Sequence, residues 1–78
     1  MIAMKYSLVG VDGNAFGIMG YTARALKSEG LREDADNMYR EATSGDYNNL
    51  ICVCTGYIDK ANDKAVENGY EEVDDYDD

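Results

Sequence analysis

The chain contains no histidine. Without one, no serine, cysteine or lysine has the base that the common nucleophilic mechanisms use, and a zinc site loses its usual nitrogen ligand. Cysteine is nearly as scarce, with Cys52 and Cys54 the only two. One residue apart, they cannot clamp a long loop, which excludes a disulfide scaffold and fits a reducing cytosol. Cations are few as well: 7 Lys and Arg stand against 16 Asp and Glu, a net charge of −9. No basic stripe exists, so direct binding of DNA, RNA or an anionic membrane is disfavoured. No apolar run approaches the roughly eighteen residues of a membrane span, and the opening MIAMKYSLVG lacks the apolar core of a signal peptide. These absences predict a soluble, cytoplasmic, non-enzymatic protein with no cofactor.

What is present is an uneven charge layout. Asp63, Glu67, Glu71, Glu72, Asp74, Asp75, Asp77 and Asp78 face Lys64 alone in the last eighteen residues, whereas the first sixty are nearly balanced. The reading is therefore one small domain over residues 1–62, followed by an acidic tail over residues 63–78. Beyond Asn62 the apolar content is too low to offset ordering entropy, so the tail is expected to be mobile unless bound. About sixty residues bury only roughly 60% of the surface their unfolded chain exposes, so stability is expected to be marginal.

Lys5 to Val11 alternates polar and apolar residues rich in β-formers, which predicts a short N-terminal strand. Asp12-Gly13-Asn14 is turn chemistry, with Asn14 or Asp12 available as an N-cap. A helix follows over 15–29, with Phe16, Met19, Ala23 and Leu26 inward, closed by Gly30 and Leu31 as a glycine C-cap. A second helix is predicted over 33–43, with Ala35, Met38, Tyr39 and Ala42 inward and Glu33, Asp34 and Asp36 near its positive end. Gly45 ends it and Asp46 caps a third over 47–61, whose stripe is Tyr47, Leu50, Ile51, Cys54, Ile58 and Ala61. The expected class is α+β, mostly helical: a strand, a compact three-helix unit and an acidic tail. A lone strand must pair with something, either Glu67 to Val73 or its equivalent in a second copy, and a homodimer is the preferred solution.

Several constellations carry two readings. Cys52 and Cys54 would point about 200° apart on a helix, which favours one buried and one flanking thiol over a metal site. Gly10, Gly13 and Gly17 lie on a strand-to-helix junction that could cradle a small nucleotide-like ligand over Gly10 to Phe16. Their spacing matches no phosphate loop, and Asp12 would repel phosphate, so a structural turn is the alternative. Asp34 and Asp36 offer oxygen ligands without a calcium-loop pattern. In the tail, Tyr70 and Tyr76 are interleaved with closely spaced carboxylates. That segment is either a solvated appendage or an imitation of a nucleic-acid backbone, with Glu67, Tyr70, Glu71, Glu72, Asp74, Asp75, Tyr76, Asp77 and Asp78 as partner-binding residues.

The stretch LVGVDGNAFGIMG, followed by ATSGDYNNLICVC, resembles a group of short proteins encoded in Firmicutes genomes and their phages or mobile elements. The resemblance covers about residues 4–60 and transfers no catalytic residue. It implies a phage-type inhibitor of host defence, similar to anti-CRISPR proteins that imitate DNA. Its partner would be a host protein with a basic nucleic-acid-binding groove. A ligand-binding module at Gly10 to Phe16, or a structural or regulatory phage protein, are the other expectations.

Overall fold

The computed structural model describes residues 4–70 of the chain. Three helices follow one another: α1, Ala15–Ser28; α2, Arg32–Ala42; and α3, Tyr47–Glu67. Each packs on the other two.

The helix ends follow local chemistry. Asn14 has extended backbone, and its Oδ1 accepts from the Gly17 amide at 2.7 Å, leaving α1 capped as its sequence predicts. At the other end the Gly30 amide donates to the Lys27 carbonyl and Leu31 to Leu26, with Gly30 at φ +82°. This pairing is the Schellman motif, and its left-handed residue is the one a side chain would strain. Asp46 caps α3 by accepting from the Asn49 amide at 2.9 Å. Asn49 in turn donates to the Glu41 carbonyl at 3.0 Å, so one side chain closes α2 while its own backbone opens α3.

The core runs between the helices. Leu26, Ala35, Met38, Cys54, Ala61 and Ala65 are fully buried, with Ile18, Met19, Leu50 and Ile58 around them. Cys54 is buried and Cys52 exposed, which matches the structural reading of the pair. Phe16, Tyr39 and Tyr47 depart from the predicted stripes, at 84%, 39% and 49% exposure.

The α+β class is corrected: among the described residues there is no strand, and the fold is all-helical. Residues 5–8 have no regular secondary structure and form a strap on the bundle, whose backbone finds a side chain where a strand would find another strand. The Tyr6 amide donates to Asn62 Oδ1 at 2.8 Å, and Asn62 Nδ2 returns a bond to the Tyr6 carbonyl at 3.0 Å. A β-turn follows, the Val11 amide bonding the Leu8 carbonyl with Gly10 at φ +85°. The homodimer expectation thus loses the unpaired strand edge it was argued from. The third helix is also longer than the predicted 47–61, and α3 continues through Asp63 to Glu67 with Ala65 buried.

Gly56 lies inside α3, and a Cβ added there would meet nothing within 4 Å. Gly56→Ala should therefore stabilise the protein by about 0.5–1 kcal/mol through helix propensity. Gly30→Ala, which forces alanine into positive φ, should destabilise it by a similar amount or more. Thermal melts of the two variants should move in opposite directions, and a common direction would contradict this assignment of the glycines.

Candidate functional site

The densest polar cluster joins the two ends of the described chain. Glu29, the C-cap residue of α1, has a side chain only 2% exposed. A carboxylate there opposes the helix dipole, whose negative end lies at the same place. Three donors answer it: Lys5 Nζ at 2.7 Å, the Tyr6 hydroxyl, and Asn68 Nδ2 at 3.0 Å. The hydrogen bonds from Lys5, then Tyr6 and Asn68, hold its carboxyl down at about 2, against an ordinary value of 4.5. Lys5 is raised chiefly by the same bond to Glu29. Burial and the bond to Glu29 push the Tyr6 hydroxyl up.

Asn68 reaches Glu29 because α3 ends as α1 does. The Gly69 amide donates to the Val66 carbonyl and Tyr70 to Ala65, with Gly69 at φ +103°, a second Schellman motif. The motif fixes Tyr70, whose ring lies 5.8 Å from Lys5 Nζ, while the Tyr6 ring lies 5.4 Å from it. Glu29, Asn62 and Asn68 were not among the sequence-predicted site residues. Two signals could have found them: Asn68-Gly69-Tyr70 repeats the form of Glu29-Gly30-Leu31, and a carboxylate at a helix C-terminus calls for a cation.

Of the predicted partner-binding residues, Glu67 and Tyr70 are described. Glu67 is exposed and pairs with Lys64 at 3.4 Å. Glu71, Glu72, Asp74, Asp75, Tyr76, Asp77 and Asp78 lie outside the described residues. On the outer side of α3, Asp59, Asp63 and Glu67 are all exposed and recur every fourth residue, so they share one face. The neighbouring cations are engaged, Lys60 with Asp34 at 3.0 Å and Lys64 with Glu67.

The turn before α1 is built as structure. Asn14 Nδ2 holds the Asp12 carboxylate at 3.0 Å, and the Tyr47 hydroxyl donates to the Gly13 carbonyl. A Cβ on Gly17 would stand 3.2 Å from the Asp12 carbonyl oxygen, which is the close approach that glycine permits there. With Asp12 beside it and the Gly17 amide capped by Asn14, the turn presents a carboxylate where a phosphate would need amides. Among the described residues no group of three His, Cys, Asp or Glu side chains is placed to hold a metal ion.

Comparison with family models, with curated proteins and with solved structures gives no match.

Two outcomes follow from the cluster. Because the folded pKa of Glu29 lies below its ordinary value, its contribution is complete above pH 4.5 and disappears as pH falls toward about 2. Glu29→Gln should cost about 1–3 kcal/mol in urea unfolding at pH 7, and the gap to the parent should close on acidification. A gap that is constant from pH 7 to pH 2.5 would contradict the charge assignment. Asn62→Ala should cost about 1–3 kcal/mol by stranding both backbone groups of Tyr6. Hydrogen exchange should then speed up at Tyr6 and Ser7 before the helices respond, whereas unchanged protection would mean that the strap is held by other contacts.

Proposed function

We propose that the chain is a non-enzymatic binding protein whose acidic surface occupies the basic, nucleic-acid-binding groove of another protein. The observation that carries this reading is the outer face of α3. Asp59, Asp63 and Glu67 stand about 6 Å apart along the axis, a spacing at which like charges cost an isolated helix roughly 0.2–0.5 kcal/mol per pair. Folding puts these residues on the outer side and pairs Glu67 with Lys64, but it does not call for three like charges in one row; a cationic partner would offset them. In the sequence, six further carboxylates follow Tyr70 within eight residues. A phage-type inhibitor of a host effector, the form the resemblance implies, is the specific version of this proposal.

Two neutralised variants test it: Asp59→Asn with Asp63→Asn and Glu67→Gln, and the six carboxylates from Glu71 to Asp78 changed to Asn or Gln. Each should slow association with a partner captured from bacterial lysate by tenfold or more, since steering charges act mainly on the rate of encounter. Binding of the parent should weaken with salt, and duplex DNA should displace it. If both variants associate with the same partner as fast as the parent at low salt, the acidic surface only solubilises the chain.

A further inference from the structure

Phe16 stands 84% exposed in the first turn of α1, and Tyr47, the first residue of α3, is 49% exposed. Between these rings a groove of about 380 Å³ descends to Met19, Ala42 and Leu50. None of those three is more than 5% exposed, so the floor of the groove is the hydrophobic core itself. Among the described residues that line it, Asp46 is the only one with a charged side chain. A phenylalanine left in water beside an apolar groove is the pattern of an unfilled contact surface.

Charge decides between the occupants. A second copy would bring together two chains of net charge −9 and two Asp46 rims. The chain's own residues beyond Tyr70 carry six carboxylates and start from the opposite end of α3, about 30 Å away along its axis. Both are repelled by Asp46, and Asp12 stands in the turn just before α1 with the same sign. What fits is an apolar anchor flanked by positive charge.

We infer that this groove docks a short basic segment of another protein, seating one large apolar side chain against Phe16 and Tyr47 and a lysine or arginine against Asp46. The inference goes beyond the acidic face of α3 and uses none of its residues, so either can fail while the other stands. The apolar anchor supplies affinity from the desolvated floor, and the carboxylate sets which sequences enter.

Methyl NMR of the full chain reads the floor directly, through Met19, Ala42 and Leu50. Three hexapeptides serve as probes: Lys-Lys-Leu-Phe-Lys-Lys, the equally charged Lys-Lys-Gly-Ser-Lys-Lys, and the acidic Glu-Glu-Leu-Phe-Glu-Glu. Only the first should give saturable shifts at those methyls. Phe16→Ser should weaken it at least tenfold. Asp46→Asn, which keeps a residue equally suited to cap α3, should weaken it about two- to fivefold and flatten its salt dependence. Unchanged melting temperatures for both variants exclude misfolding as the cause. Three results would overturn the inference: no saturable shift from the first peptide, equal shifts from the glycine-serine peptide, or binding indifferent to Phe16→Ser. Light scattering at twice the 8.6 kDa chain mass, restored to one by Phe16→Ser, would assign the groove to a second copy instead.

Discussion

A carboxylate buried at the C-terminal end of a helix is the constraint on which the rest of this structure depends. Glu29 meets the negative end of the α1 dipole and is shielded from water, so leaving it unpartnered would cost several kcal/mol. Its three donors come from two places: Lys5 and Tyr6 from the strap, and Asn68 from the cap of α3. Satisfying one atom group therefore pulls both ends of the described chain onto one helix terminus. Lys5 does this twice, since its ammonium also lies near the faces of Tyr6 and Tyr70.

This polar closure matters because the core is thin. Six of its thirteen buried apolar residues are alanines, which let helices approach closely but remove little area from water. With no disulfide possible over a long loop, further cohesion comes from side chains that bond across elements. Asn49 links the end of α2 to the start of α3, and Asn62 holds the strap. Tyrosine hydroxyls make further bridges: Tyr21 to the Ser7 amide, Tyr47 to the Gly13 carbonyl, and Tyr57 to Glu41. Each such ring adds apolar contact along its body and a directed bond at its tip.

The three helices were legible because their signals are local. Asn14, Gly30 and Asp46 act within four residues of themselves, and the stripe through Leu50, Cys54, Ile58 and Ala61 repeats at the helical period. The strap was not legible, since alternation from Lys5 to Val9 describes an extended backbone without saying what its amides bond to. A strand and a strap differ only in that partner, here Asn62, which lies 56 residues away. Phe16 departs for a related reason: helical spacing from Met19 does not say how far the packing extends, and in the first turn of α1 it leaves the ring 84% exposed where Met19 is buried. The end of α3 was set too early because Asp63 and Glu67 read as tail charge, although Ala65 between them continues the buried stripe. The site residues Glu29 and Asn68 needed two helix ends to be compared, and their shared Gly-containing cap was the one available clue.

The placement of charge follows from these same packing limits. An alanine-rich three-helix core offers α3 an inner face only a few residues wide, and its carboxylates are confined to the outside. Their alignment every fourth residue is a repulsive pattern on that side, while Lys60 and Lys64 are drawn into pairs with Asp34 and Glu67. Tyr70, fixed by the second glycine cap, makes the acidic residues that follow start from the same end of α3 as Glu67. Stability and charge layout thus meet at one point: the cap that supplies Asn68 to Glu29 is also the end of α3 that the most acidic stretch of the sequence follows.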